Sequence, residues 1–203
     1  PEHRANKTTE PAKPAKLAAG LDDAKLKTAL KNMLLARKLD EKMLVLIRQG
    51  KSYFHIGSMG HEAVQTAAAM ALTPGRDWAY PYYRDQALVT GLGMTAYEIM
   101  TCFLSRVDDP NSGGRQMPQH YGHKALNIPT QSSPTGTQYL QAVGCAMASV
   151  RNAHKHHPKN GGAADYEVTL VGSGEGTTSQ GDFHEALNWA SRDKLPVIFL
   201  VED

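Results

Sequence analysis

The sequence predicts an α/β protein in which helices cover both faces of a parallel sheet, with a helical N-terminal part. The prediction depends first on residues 167–201, where an apolar strand, a Gly-rich turn, a helix and a second apolar strand follow one another. Strands joined in this way run parallel, and a parallel sheet is buried on both faces. It depends secondly on the first half of the chain, where apolar residues recur at helical spacing.

The N-terminal residues differ in composition from the rest. Residues 1–20 are rich in Pro, Ala, Lys and Thr and contain a single Leu. So little apolar surface cannot offset the entropy of ordering the chain, so we predict a flexible arm there and one domain over residues 21–203. From Asp22 to Gln49 the apolar side chains fall three and four residues apart, which predicts a long amphipathic helix, either continuous or broken, that stops at Gly50.

Two more helices are predicted before the middle of the chain. The Ala-rich stretch 60–72 ends at a Thr-Pro-Gly sequence, residues 95–106 form the other helix, and a loop with Tyr, Arg and Asp connects the two. Residues 107–133 show no periodicity of either kind. A loop of this length is either functional and ordered or it is disordered.

The second half begins with a helix that we expect to start at Ser133-Pro134 and to run to about His154, because Ser is a preferred N-cap and Pro fits the first helical position. A strand at 167–171, a turn at 172–176, a helix at 180–192 and a strand at 196–201 follow. Together these last elements form a βαβ unit.

Composition excludes several classes of function. Hydrophobic residues make up 41% of the chain and charged residues 21%, as in a soluble globular protein, and the net charge of +2 gives no case for nucleic-acid binding. The longest apolar run, 197–201, is too short for a membrane span. Cys102 and Cys145 lie in apolar helical stretches without metal-ligand spacing, so we expect buried thiols.

The turn after the first strand of the βαβ unit carries the chemistry. Its sequence, Gly-Ser-Gly-Glu-Gly-Thr at 172–177, lacks the third glycine of a dinucleotide fingerprint and the Lys of a P-loop. A carboxylate within a phosphate-binding turn would repel the phosphate unless a divalent cation lay between them. Glu175 therefore fits a Mg²⁺ ligand that bridges to a diphosphate, although it could also be a solvated turn residue.

A family resemblance supports the first alternative. Three segments, in order GRQMPQHYG (114–122), SSPTGTQYLQAVG (132–144) and GEGTTSQGDFHEALNWA (174–190), resemble the alpha subunits of thiamine-diphosphate-dependent 2-oxo acid dehydrogenases, the E1 component, of the branched-chain (2-oxoisovalerate) type. The resemblance covers about residues 25–203 and implies the thiamine-diphosphate-binding fold. It departs at Tyr82, where relatives have Gln, and at Glu202-Asp203, where they have Arg-Asn.

The resemblance also implies a set of site residues. Glu175 would bind Mg²⁺, and the contacts with thiamine diphosphate would come from Tyr83, Arg84, Ser133, Thr135, Gly176 and Thr177. A K⁺ site would use Ser132, Pro134, Thr137 and Gln138, which could equally serve as helix-capping residues. Two residues have a weaker assignment: Glu62 could relay protons or be a helix-surface charge, and His120 could line the substrate channel or be an ordinary loop residue.

The implied activity is oxidative decarboxylation of branched-chain 2-oxo acids, with transfer of the acyl group to the lipoyl group of E2. The implied partners are an E1 beta subunit, or a fused beta-like half, in an α2β2 assembly, and the lipoyl domain of E2, with no nucleic acid or membrane. The expected compartment is the cytoplasm of a bacterium or the mitochondrial matrix of a eukaryote. A second metal ligand would follow Asp203, so we expect the domain to be truncated at its C-terminus and this segment alone to be inactive. A pyruvate or acetoin dehydrogenase alpha chain and a non-catalytic remnant or assembly module are the alternatives.

Overall fold

The computed structural model describes residues 20–156 and 166–203, and the predicted arm over residues 1–20 lies outside this part of the chain except for Gly20. The described residues form an α/β fold with a small parallel sheet. The helices are α1 (Asp23–Arg48), α2 (Glu62–Ala71), α3 (Gln86–Leu92), α4 (Ala96–Phe103), α5 (Thr137–His156) and α6 (Gly181–Asp193). The strands are β1 (Trp78–Tyr80), β2 (Thr169–Gly174) and β3 (Val197–Glu202).

Helix α1 confirms the long N-terminal helix predicted from apolar spacing. It runs without a break, and the Asp22 side chain caps it by accepting a hydrogen bond from the backbone N–H of Lys25 at 2.8 Å. At the other end the positive φ of Gly50, 66°, allows the chain to leave the helix. The buried residues of α1 lie on one face, as an amphipathic helix requires; they are Ala36, Leu39, Asp40, Met43 and Leu46.

The region between α2 and α4 was predicted as a loop, and this prediction was wrong. It contains β1 and α3. Strand β1 has three residues, too few to show an alternating pattern. Helix α3 is buried on nearly every side, so its sequence lacks the polar face by which an amphipathic helix is recognised. Helix α4 lies within the predicted helix 95–106 but ends earlier, at Phe103, and Thr95 and Glu98 form a capping box at its start.

Residues 104–136 form a long irregular segment that packs against the rest of the fold. It contains one short 3₁₀ helix, Lys124–Leu126, and it buries Tyr121 completely. Helix α5 begins at Thr137 and not at Ser133-Pro134 as predicted. The preceding Gly136 has a φ of 96°, outside the helical region, so the chain turns there before the helix begins.

The three strands form one parallel sheet in the order β1, β2, β3. Strand β2 therefore lies in the centre, and its first five residues are buried. The predicted turn at 172–176 is corrected: residues 172–174 belong to β2, and a 3₁₀ helix over Glu175–Ser179 makes the turn. These three residues pair with Leu200, Val201 and Glu202 of β3, which extends both strands past the predicted ends.

Alternate residues of β2 point to opposite faces of the sheet, and each face has its own core. Leu170 belongs to a cluster with apolar side chains of α1 to α4, including Met43, Leu88 and Phe103. Val171 belongs to a second cluster with Tyr139 of α5 and Ala186 of α6. The central strand thus has helices on both sides, which is the layered arrangement that the sequence predicts.

Both cysteines are free thiols. Cys102 is buried and Cys145 is partly buried. Burial raises the pKa of the Cys102 thiol to about 12, so this thiol stays protonated and unreactive at neutral pH.

Within residues 20–156 and 166–203, none of the helices combines the length and the apolar character that a bilayer crossing needs.

The close approach of α2 and α3 generates a stability prediction. A Cβ at Gly91 would lie 2.6 Å from the Cβ of Ala69, so Gly91→Ala should force the helices apart and lower the free energy of unfolding by about 1 kcal/mol or more, despite the better helix propensity of Ala. Gly144→Ala in α5 is the matched control, because nothing lies within 4 Å of a Cβ there, and it should raise stability by about 0.5 to 1 kcal/mol. Urea unfolding of the two variants compares them, and equal effects at both positions would contradict the packing argument.

Candidate functional site

A cavity of about 260 Å³ lies at the carboxyl ends of the three strands. The segment after β1 contributes Tyr82, Tyr83 and Arg84, the end of β2 contributes Gly174 to Thr177, and the end of β3 contributes Glu202 and Asp203. His61 and Thr135 complete the lining. Ligands of open α/β sheets bind at this edge, because the loops that follow the strands diverge there.

The structure brings six of the residues predicted from the sequence to this cavity. They are Tyr83, Arg84, Thr135, Glu175, Gly176 and Thr177. These residues come from three segments that are far apart in the sequence, so their convergence is a property of the fold. Seven others do not line the cavity: Glu62, His120, Ser132, Ser133, Pro134, Thr137 and Gln138.

Arg84 is held in place from several directions. Its guanidinium donates a hydrogen bond to the carbonyl oxygen of Gly57, and it lies over the ring of Tyr83 with 5.7 Å between the guanidinium carbon and the ring centroid. Its own carbonyl oxygen accepts a hydrogen bond from the side-chain amide of Gln65 at 3.0 Å. Because the side chain is already oriented, less conformational entropy is lost when an anion binds to it.

Two buried carboxyl groups lie behind Arg84. Asp85 is fully buried, and one of its oxygens accepts a hydrogen bond from the backbone N–H of Tyr82 at 2.9 Å. Glu202 accepts from Gln65 at 2.8 Å and pairs with the Nδ1 atom of His61 at 2.5 Å. Burial, and secondly the neighbouring Glu202, raise the pKa of Asp85 well above its ordinary value. The second oxygens of both groups, Asp85 Oδ1 and Glu202 Oε1, are buried and have no hydrogen-bond partner among the described residues.

The turn after β2 is open to solvent on the side of the cavity. Glu175 and Gly176 are exposed, whereas Thr177 is buried. The turn also touches the segment before α5, because a Cβ at Gly136 would lie 3.2 Å from the side chain of Gln180. The positive φ of Gly136 favours glycine there, and a side chain would press on Gln180 at the end of the turn; the approach of the two segments brings Thr135 and Glu175 into the same lining.

The two serines before α5 face different neighbours. The Oγ atom of Ser132 accepts a hydrogen bond from the Thr137 hydroxyl at 3.1 Å, and that hydroxyl also lies 2.6 Å from the carbonyl oxygen of Pro134. Three of the oxygens assigned to a K⁺ site are thus close together. Gln138 is turned away and donates to the carbonyl oxygen of Gly172. Ser133 contacts the Nε2 atom of His120 at 2.8 Å instead of capping α5.

Glu62 has both carboxylate oxygens occupied. Oε1 pairs with Arg37 at 2.5 Å, and Oε2 accepts from the backbone N–H of Gly60 at 2.9 Å. The hydrogen bond from Arg37 lowers the pKa of Glu62, so the group is ionised at neutral pH. In this arrangement Glu62 ties α1 to the start of α2.

Five residues of the lining were not predicted from the sequence: His61, Tyr82, Gly174, Glu202 and Asp203. Tyr82, Glu202 and Asp203 were noted only as departures from the family pattern. A usable signal was present for Glu202 and Asp203, because residues that follow a parallel strand lie at the binding edge of the sheet. His61 had no such signal, since it reaches the site only through the pairing of its ring with Glu202.

The charges of the cavity bear on which ligand fits. One fixed cation, Arg84, faces three carboxyl groups of the lining, those of Glu175, Glu202 and Asp203. A diphosphate entering this cavity needs more positive charge than Arg84 supplies, and a Mg²⁺ ion held by Glu175 would supply it. In the described parts of the chain, no three His, Cys, Asp or Glu side chains are grouped to hold a metal ion. Mg²⁺ commonly takes one carboxylate and completes its shell with phosphate and water oxygens, so the residues present fit such a group.

Comparison with known proteins gives a consistent result. The family model described as "Dehydrogenase E1 component" matches residues 30–203. The 2-oxoisovalerate dehydrogenase subunit alpha of Bacillus subtilis (strain 168) is 46% identical over 92% of this chain and 53% of its own length. The mitochondrial subunit of the same name from Caenorhabditis elegans is 36% identical over 75% of this chain and 32% of its own length. The pyruvate dehydrogenase E1 component subunit alpha of Bacillus subtilis (strain 168) is 31% identical over 90% of this chain and 43% of its own length.

The buried acid pair generates a prediction about pH. Because the pKa of Asp85 is raised, the folded chain retains a proton that the unfolded chain loses above about pH 4, so this group lowers stability as the pH rises from there towards the raised pKa. Asp85→Asn removes the titrating group and keeps an acceptor for the N–H of Tyr82. The free energy of unfolding of the variant, relative to that of the wild type, should therefore increase as the pH is raised from 5 to 8. Urea unfolding of both proteins at each pH measures this difference. A difference that stayed constant between the two pH values would show that Asp85 does not hold a proton.

Proposed function

Because the chain belongs to the family of dehydrogenase E1 components, we propose that it is the diphosphate-binding part of an E1 alpha subunit that acts on branched-chain 2-oxo acids. The chain spans about half, or less, of the length of the curated relatives named above. The proposed reaction is oxidative decarboxylation of the 2-oxo acid, with transfer of the acyl group to a lipoyl group.

A single observation carries the proposal. The fold gathers Arg84, Glu175 and the neighbouring turn residues Gly174, Gly176 and Thr177 around one cavity at the edge of a parallel sheet. A guanidinium and backbone N–H groups suit phosphate oxygens, and a carboxylate among them suits a divalent cation. This combination supports a Mg²⁺-diphosphate site, and the family supplies thiamine diphosphate as the cofactor.

The bound cofactor would supply the carbanion chemistry that removes CO₂ from a 2-oxo acid. The chain's own residues position it. Arg84 would bind diphosphate oxygens with its planar fork, and Glu175 would hold the Mg²⁺ ion that accompanies the diphosphate. Tyr83 orients the guanidinium through their stacking contact, and Thr135, Gly176 and Thr177 line the cavity next to them.

The other predicted site residues do not line the cavity, and their roles are part of the proposal. Ser133 would contact the cofactor from beside the cavity. Ser132, Pro134 and Thr137 would hold K⁺ through the oxygens that already lie close together. Gln138 would contribute a carbonyl oxygen, because its side-chain nitrogen already donates to the Gly172 carbonyl of β2. His120 would act near the substrate, and Glu62 would act through its contacts with α1.

The proposed assembly is an α2β2 heterotetramer with a beta subunit or a fused beta-like half. That partner would bring the groups that activate the cofactor ring, and the lipoyl domain of E2 would accept the acyl group. The chain would work in the cytoplasm if it is bacterial and in the mitochondrial matrix if it is eukaryotic. The relative from Bacillus subtilis supports the bacterial location, and the mitochondrial relative from Caenorhabditis elegans supports the eukaryotic one.

Substrate choice tests the function directly. The full-length protein, assembled with its partner and supplied with thiamine diphosphate and Mg²⁺, should release CO₂ from 3-methyl-2-oxobutanoate with a kcat/KM at least about tenfold higher than from pyruvate, because a pocket built for the branched chain gains from the additional methyl groups. A preference for pyruvate would overturn the branched-chain assignment and keep the E1 assignment. No release from either acid would overturn both.

The metal ligand has its own test. Glu175→Gln removes the carboxylate charge without changing the size of the side chain, and it should weaken Mg²⁺-dependent binding of thiamine diphosphate by at least about tenfold, because charge-assisted contacts contribute roughly 1.5 to 3 kcal/mol. Calorimetric titration at several Mg²⁺ concentrations measures this. Glu185→Gln is the control: Glu185 is exposed on α6 and does not line the cavity. Equal affinities of the two variants would leave Glu175 as a solvated turn residue.

A further inference from the structure

His120 and Ser133 form a pair whose hydrogen-bond direction can be deduced from the structure. The ring of His120 is buried, with 2% of the residue exposed. Its Nδ1 atom lies 3.1 Å from the carbonyl oxygen of Pro118, and its Nε2 atom lies 2.8 Å from the Oγ atom of Ser133. Each ring nitrogen of His120 therefore has one partner.

The carbonyl oxygen of Pro118 can only accept a hydrogen bond, so Nδ1 of His120 must carry a proton and donate it. In a neutral imidazole the other nitrogen, Nε2, then carries a lone pair and can only accept. Burial lowers the pKa of His120, which keeps the ring neutral at neutral pH. Ser133 must consequently donate its hydroxyl proton to Nε2.

The surroundings hold His120 in this position. Its carbonyl oxygen accepts a hydrogen bond from the side-chain amide of Asn111 at 2.8 Å, and the thiol of Cys102 is 3.8 Å from the same oxygen. Both contacts act on the backbone, and they leave the ring to its two partners. The direction of the bond from Ser133 is thus fixed by the fold.

The pair lies beside the proposed cofactor cavity. The ring of His120 packs against that of Tyr83, with 6.3 Å between the centroids and 34° between the planes, and Tyr83 lines the cavity. Ser133 is exposed, and it precedes Thr135 of the cavity lining by two residues. Because Ser133 is exposed and lies two residues from the lining, a ligand that extends past the diphosphate can reach its hydroxyl group.

We propose that His120 is a positioning residue which, by taking the hydroxyl proton of Ser133, makes Ser133 a pure acceptor for the exocyclic amino group of the cofactor's aminopyrimidine ring. The inference rests on the proposed function. Ionised diphosphate oxygens only accept hydrogen bonds, and a thiazolium ring has no N–H group. The amino group is then the part of thiamine diphosphate that can donate to Ser133.

The test compares the dissociation constants of thiamine diphosphate and of oxythiamine diphosphate, in which an oxygen replaces the amino group. Both are titrated calorimetrically with Mg²⁺ into the full-length protein in its native assembly, and the readout is the ratio of the two constants. The wild type should prefer thiamine diphosphate by about tenfold or more, because the oxygen of the analogue would face an acceptor. Ser133→Ala and His120→Leu should each reduce this preference to about twofold or less.

Three comparisons separate positioning from a merely structural role. A structural defect would weaken both ligands equally and leave the ratio unchanged. His120→Gln should restore the preference, because its amide oxygen can accept the proton of Ser133 near the position of Nε2. In the Ser133→Ala background, His120→Leu should have no further effect on the ratio.

His123→Leu is the matched control. His123 lies in the same irregular segment, its Nε2 atom is 3.3 Å from Glu98, and it lines a separate cavity with Trp78 and Ile128. This variant should keep the wild-type ratio. If His120→Leu also keeps the ratio while the wild type binds both ligands, the positioning role is overturned and the proposed function stands. If the wild type binds neither ligand, the proposed function itself fails.

Discussion

The carboxyl group of Asp85 lies out of contact with water between the start of α3 and the middle of β2, and this placement requires Gly172. A Cβ at residue 172 would overlap the Asp85 carboxyl group. Burying a carboxyl group is costly unless it is neutralised or hydrogen-bonded, and Asp85 has both compensations: it accepts a hydrogen bond from the backbone N–H of Tyr82, and its raised pKa favours the neutral form. The two cavity-lining residues next to it, Tyr83 and Arg84, cannot move without disturbing this arrangement.

Arg84 depends on that anchor and on contacts from two helices. The side-chain amide of Gln65 on α2 donates to the carbonyl oxygen of Arg84 and to Glu202, while its Oε1 atom accepts from the backbone N–H of Ala87 at the start of α3. Asp40 of α1 accepts from His55 and from the backbone N–H of Ser58, which holds the segment whose Gly57 carbonyl receives the Arg84 guanidinium. The helical N-terminal part therefore orients the cation while the sheet supplies the carboxylates. The site is preorganised because neither part can shift without the other.

Much of this fold could be predicted from local sequence patterns, and the exceptions have physical causes. The long α1 and the βαβ unit were correct because many residues repeat the same spacing. Strand β1 and helix α3 were missed because one is short and the other has no polar face, so their form depends on tertiary packing. The start of α5 was misplaced because Ser133-Pro134 matches a helix start locally, while Gly136 turns the chain first and Ser133 finds a partner in the preceding loop. The Asp85 and Glu202 pair could not be predicted at all, since the two residues are adjacent only in the folded chain.

The segment before α5 illustrates why a resemblance to a family needs the geometry of the chain. The sequence places Ser132 and Ser133 in one matched motif and assigns them to a cation and to the cofactor. In the structure the two hydroxyl groups point to different neighbours, one towards Thr137 and the other towards His120. A cation bound at Ser132 would therefore order the start of α5 from one side, while His120 controls the hydrogen bond of Ser133 from the other. The two effects can be separated by substitution because the hydroxyl groups share no partner.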